Sequence, residues 1–109
     1  MKGYPYTPKK ETTAERLGDI GFPMWVLLQR THNPSVVDIR TQIIANLFLY
    51  SSMTIPEIAE IFEFTDCHTH RLVSRHKSLL KSDKNYRKAD EKVLKMLEEH
   101  RVIKKLEAV

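Results

Sequence analysis

The sequence predicts an all-α fold, a single compact domain of five or six helices. Three observations carry this expectation. Apolar residues recur at spacings of three and four, no segment keeps the two-residue alternation of a half-buried strand, and capping residue types precede most periodic segments. With 109 residues the chain has room for one domain. A chain of this length buries roughly two thirds of its unfolded surface and needs no disulfide to stand. Its 41% hydrophobic and 29% charged residues are the balance of an ordinary globular protein.

Each element follows from local signals. Residues 1–11, with Gly3, Pro5, Pro8, Lys9 and Lys10, lack periodicity and read as a flexible N-terminal arm ahead of a helical domain over 12–109. Thr12 and Glu15 have capping-box spacing, so a short helix is expected from about Thr13 to Gly21, ahead of Pro23. "PMWVLLQRT" reads as a second short helix and "HNP" as a break. Ser35, with Asp38 three residues on, is the expected cap of "VVDIRTQIIANLFLY", whose Val36, Ile39, Ile43, Leu47 and Tyr50 form one stripe. After "SSMT", Thr54 and Glu57 form a capping box with Pro56 tolerated in the first turn of "IPEIAEIF". "EFTD" is a turn, and Thr65 or Asp66 caps "CHTHRLVSRHKSLL". "KSDKN" reads as a loop before a long basic helix over about 85–106. Its Tyr86, Ala89, Val93, Met96 and Ile103 keep a helical rhythm, with His100 filling one slot. That stripe either packs on the core of 35–81, the preferred reading, or forms a homodimer seam.

Composition excludes several classes. Cys67 is the only cysteine, so an intramolecular disulfide is impossible and a reducing, cytoplasmic setting is expected. "MWVLL" and "LFLY" are too short to cross a bilayer, no signal peptide follows the N-terminal "MKGYPYTPKK", and no membrane partner is expected. Charge is uneven. Residues 1–70 hold 6 basic and 8 acidic side chains, whereas 71–109 hold 12 and 6, sums of −2 and +6 within the net +4. A basic half points to a polyanionic partner if it lies beside a reading head; otherwise it is a solvated lysine-rich surface.

The segment from Thr54 to Leu80 supplies such a head: a short helix, a tight turn and a longer helix, in helix-turn-helix proportion. Ile58, Ala59 and Phe62 bury the first helix, and Phe64 points inward from the turn. In the second, Thr69, Leu72, Val73, His76, Leu79 and Leu80 trace the inward face. His68, Arg71, Ser74, Arg75 and Ser78 trace the outward one. Arginine suits guanine edges, and serine or histidine bonds to several bases. Lys77, Lys81, Lys84, Arg87 and Lys88 suit phosphates, which give affinity without sequence information.

The same stretch holds Cys67, His68, His70 and His76, which raises two other readings. A structural zinc site needs four ligands, usually at C-x-x-C or H-x-x-x-H spacing, and these residues do not supply them. A Cys–His nucleophile lacks an orienting third group and an oxyanion-binding loop. No enzyme constellation and no cofactor is implied. A third reading is a helix-turn-helix that has become a protein-interaction module, with Trp25 and Phe22 of "FPMWVLL" as anchors; against it, Trp25 simply fills the core.

The stretch "DIRTQIIANLFLYSSMTIPEIAEIFEFTD" resembles the C-terminal DNA-binding domain of the bacterial replication initiator DnaA, over roughly residues 36–97. That family, built on the Trp-repressor-like helical plan, carries an R-Q-I-A-x-x-L helix, an L-P-E-I-G-x-x-F helix and a G-G-R-D-H-T-T turn. Gln42, Ile43 and Leu47 match the first, with Arg40 close to its arginine. Ile55, Pro56, Glu57, Ile58 and Phe62 match the second, and Asp66 and Thr69 match the turn motif. Glu63–Phe64 replaces the glycine pair, Thr65 the arginine and Cys67 the histidine, with His68 one place on. The resemblance implies duplex-DNA binding with the recognition helix in the major groove, a regulator of replication or transcription, and contact roles for Arg40, Gln42, Asp66, His68 and Thr69. Its register would bury His70, where the periodicity buries Thr69. No Gly-rich phosphate loop occurs, so it implies the DNA-binding domain alone.

Overall fold

The computed structural model describes residues 10–22, 24–28, 33–51, 53–100 and 103, with the backbone alone at 10–12, 24 and 25. Six helices follow in order: α1 (Lys10–Ile20), α2 (Met24–Leu27), α3 (Pro34–Tyr50), α4 (Ile55–Phe62), α5 (Asp66–Ser82) and α6 (Lys84–Glu99). No strand occurs among these residues. The fold is all-α and forms one domain, as the periodicity predicts. The rest of the N-terminal arm (1–9), the expected "QRT" end of the second helix, the Trp25 side chain and the end of the last helix beyond Ile103 lie outside the described residues.

α3 is the axis of the domain. The eight residues from Arg40 to Leu47 are all buried, because α2, α4, α5 and α6 each pack against this helix. The single stripe expected from the sequence is therefore too narrow. Val36, Ile39 and Tyr50 are only half-buried, while the polar Thr41, Gln42 and Asn46 lie inside. A helix surrounded by neighbours buries residues all round, so its sequence shows no single face. α1 closes the structure against α2, α4 and α6. Leu17, Ile43, Ile44, Leu47, Ile58, Phe62 and Leu97 form the centre of the core.

Capping chemistry sets the helix ends, not always where expected. α1 begins at Lys10, so Lys10 and Glu11 belong to the helix rather than the arm, and Thr12 sits inside the first turn instead of capping it. Lysine and glutamate are good helix formers, and nothing between Pro8 and Thr12 stops them. Gly21 ends α1 with φ 108°. Its N–H donates to Gly18 O at 3.0 Å and the Phe22 N–H to Leu17 O at 2.8 Å, a Schellman closure that needs a left-handed residue. Asn33, not Ser35, caps α3: its side chain accepts from the Ser35 N–H at 2.9 Å, with Pro34 opening the helix.

The box at α4 is as predicted. The Thr54 hydroxyl accepts from the Glu57 N–H at 3.4 Å, and the Glu57 carboxylate accepts from the Thr54 N–H at 2.8 Å. The far end of α4 repeats the Schellman closure of α1, with the Glu63 N–H bonded to Glu60 O and the Phe64 N–H to Ala59 O. Here the left-handed residue is Glu63, at φ 59° and ψ 39°, where a glycine would meet no steric cost.

The junction of α5 and α6 is tighter than the expected five-residue loop, because Asp83 alone serves both helices. Its N–H donates to Leu79 O at 2.8 Å, and its carboxylate accepts from the Tyr86 N–H at 3.0 Å. The Arg87 Nε donates to Leu80 O at 2.9 Å across this corner. α6 presents Tyr86, Asp90, Val93 and Leu97 inward, and Ile103 is buried beyond it. Ala89 and His100 are exposed and Met96 half-buried, so the inward face is rotated from the predicted one. The rotation follows from Asp90, a carboxylate taking an interior position that an apolar pattern cannot reveal. Within the described residues the stripe packs on its own domain.

Replacing Glu63 by glycine is expected to stabilise the fold. A non-glycine residue in this conformation costs about 1–2 kcal/mol, and the extra freedom of glycine in the unfolded chain returns part of that. The net gain, about 0.5–1 kcal/mol, is read as a raised urea midpoint at unchanged slope; a lowered midpoint would show that Glu63 side-chain contacts outweigh the strain.

Candidate functional site

α5 is the element with chemistry to offer. Thr65 caps it, its hydroxyl accepting from the His68 N–H at 3.1 Å. Half-buried Phe64 sets the approach of the helix, its ring meeting that of His68 edge to face at 4.5 Å. Thr69, Val73 and His76 are buried and Leu72, Leu79 and Leu80 half-buried, so the inward face runs as the periodicity predicts. His70 is exposed, and the register implied by the family resemblance does not hold here.

The outward face carries His68, Arg71, Ser74, Arg75 and Ser78, all exposed. Lys77 and Lys81 flank it, and Arg87 and Lys88 follow on α6, also exposed. α5 holds four cations (Arg71, Arg75, Lys77, Lys81) against one carboxylate, Asp66, at its N-terminal end. There Asp66 complements the helix dipole. Among the described residues neither Arg71 nor Arg75 forms an ion pair. The arrangement offers two planar guanidiniums, an imidazole and hydroxyls in one row, with point charges beside them.

Three residues given contact roles by the resemblance turn inward instead. Gln42 is fully buried, its Nε2 donating to Tyr86 O at 3.3 Å. Thr69 is fully buried, its hydroxyl donating to Thr65 O at 2.9 Å. Arg40 is 8% exposed; its Nη1 donates to Leu27 O at 3.1 Å and its guanidinium carbon sits 5.4 Å from the centre of the Phe64 ring. Arg40 therefore ties α2 to the α4–α5 turn. All three side chains are held by interior partners, away from the exposed face of α5. Thr65 and Asp66 are exposed at the head of α5, Thr65 with its oxygen engaged as the cap.

What holds α5 in this rotation is a buried polar cluster that sequence reading found only in part. His76, at 0% exposure, has Nδ1 2.8 Å from the Tyr86 hydroxyl. Its Nε2 lies 3.8 Å from the Asp90 carboxylate, which accepts from the Asn46 Nδ2 at 2.9 Å. The cluster joins α3, α5 and α6. Burial lowers the His76 pKa, partly opposed by Asp90. Burial, then Asp90 and Asp38, raise that of Tyr86, with Arg75 opposing. A neutral imidazole beside a protonated phenol fits a Tyr86 hydroxyl that donates to Nδ1. Asp90 and Asn46 were missed because a period built from apolar residues does not register buried polar side chains. The Tyr86, Asp90, Val93, Leu97 spacing of four, three and four was the available signal.

Cys67 is exposed in the first turn of α5. No group of three or more His, Cys, Asp or Glu among the described residues could hold a metal, and no helix there is long and apolar enough to cross a membrane. Comparison of the chain with protein-family models, with curated proteins and with solved structures gives no match.

The cluster sets a pH dependence. A histidine whose folded pKa lies below its unfolded value of about 6.5 leaves the unfolded state binding more protons in that window. Its contribution to stability is therefore complete above pH 6.5 and is lost as pH falls towards the folded value. Urea melts at pH 7.5, 6.5 and 5.5 should show falling stability, with a shallower fall for His76→Gln. Stability rising across that range would contradict the assignment.

Proposed function

We propose that the chain binds duplex DNA through α5, with α4, the turn Glu63–Thr65 and α5 acting as a helix-turn-helix in a regulator of replication or transcription. The observation that supports this most is the two-sidedness of α5. Its inner face is fixed by Thr69, Val73 and His76, while Arg71 and Arg75 stand exposed on the outer one. At 17 residues α5 is about 25 Å long, and a major groove about 12 Å wide admits a helix. In this reading Arg71 and Arg75 read base edges, helped by His68 and Ser74. Lys77, Lys81, Arg87 and Lys88 hold phosphates, and Thr65 and Asp66 lie at the groove-entering end. Arg40, Gln42 and Thr69 support the motif from within. The likeness of the α3 and α4 sequences to the DNA-binding domain of the initiator DnaA supports the same reading.

The test is a salt titration on duplexes selected from a random pool and on unselected duplexes. Arg71→Ala is expected to cost about 1–3 kcal/mol on the selected sequence and little on the others. Lys81→Ala weakens both alike and makes the salt slope shallower by about one unit. Equal losses on both duplexes for Arg71→Ala would reduce that arginine to a backbone contact. Failure of the pool to enrich any sequence would leave no ground for base reading.

A further inference from the structure

A second surface lies on α6, rotated away from its buried side. A groove of about 380 Å³ runs beside this helix, with an apolar floor of Phe22, Ile39, Val93 and Met96. On α6 it extends from Asn85 to Met96, about 16 Å or three turns. Lys88 and Lys92 line it and no carboxylate does. Gln42 also lines it, and the buried Gln42 Oε1 has no hydrogen-bond donor among the described residues, since the amide spends its Nε2 on Tyr86 O.

We propose that this groove docks an acidic amphipathic helix of a partner protein. Each part of the occupant answers something on the surface. The apolar floor takes side chains spaced at three and four, as in other helix-in-groove pairs. The two lysines take carboxylates flanking that stripe. An elongated channel open along a helix fits a peptide better than a compact small molecule, which enclosed pockets bury almost completely. A second copy of this basic chain offers poor charge complementarity to a lysine-lined groove. The docked helix would leave Arg71 and Arg75 free; Lys88, which lines the groove, would hold either a partner carboxylate or a phosphate, so protein and nucleic acid would share that one cation.

The experiment selects peptides from a displayed library of random 16-residue sequences against the full chain. The dominant peptide is labelled and its binding followed by fluorescence anisotropy. The expected winners carry apolar residues at helical spacing with aspartate or glutamate beside them. Lys92→Glu should weaken their binding about fivefold or more and remove most of its salt dependence. Met96→Asp should weaken it more than tenfold, while circular dichroism melts show whether that variant still folds. Lys92→Glu changes an exposed side chain, so it keeps the test decisive if Met96→Asp does not fold. No enrichment, winners without acidic residues, binding unchanged by Lys92→Glu, or a dimer in sedimentation that seals the groove would each overturn the proposal. None of these outcomes depends on whether the chain binds DNA.

Discussion

The rotation of one helix about its own axis decides what this domain can present, and a buried imidazole sets that rotation. His76 sits where an aliphatic residue would serve packing equally well. An aliphatic side chain slides, whereas a ring nitrogen bound to the Tyr86 hydroxyl and facing the Asp90 carboxylate does not. Buried polar groups are costly unless partnered, so this cluster of four side chains from three helices favours the arrangement in which the His76–Tyr86 and Asn46–Asp90 hydrogen bonds form, with His76 Nε2 left facing the Asp90 carboxylate without a hydrogen bond. Asn46 extends the constraint to α3, the most enclosed helix. The outward row of arginines follows from what is pinned on the opposite side.

Local chemistry brings the two ends of α5 to that cluster. At the head, Thr65 caps the helix while Phe64 and Arg40 brace the turn from inside. At the tail, Asp83 closes one helix and opens the next, so α6 folds back at once and delivers Tyr86 and Asp90 to His76. A longer connection would leave the relation of α5 and α6 less defined. The left-handed Glu63 shows that the turn before α5 is held by its surroundings rather than by residue preference.

Much of this was legible in the sequence, for identifiable reasons. The box at Thr54 and Glu57 is a signal of residue type and spacing, independent of the rest of the fold, and it read correctly. The two faces of α5 were legible because one side of that helix meets the core and the other meets solvent, the condition under which periodicity carries information. α3 was misread because helices surround it, so polar Thr41, Gln42 and Asn46 sit inside alongside aliphatic neighbours. The inner face of α6 was misread because Asp90 is paired, and pairing cannot be seen one helix at a time. The resemblance to the initiator family implied contact roles for Arg40, Gln42 and Thr69; here these side chains are buried on interior partners.

The domain thus joins an apolar core, crossed by one buried polar cluster, to two unlike surfaces, a cationic row on α5 and an apolar, lysine-edged channel along α6. The claim on which the rest depends is that the pinned helix shows its arginine side to a polyanion. Amide shift mapping of the labelled chain, titrated with a short mixed-sequence duplex at low salt, addresses it directly. The account predicts that the largest changes fall at His68, Arg71, Ser74, Arg75 and Ser78, with small ones at Val73 and His76. Changes centred instead on Phe22, Ile39 and Met96, or none at saturating duplex, would contradict it.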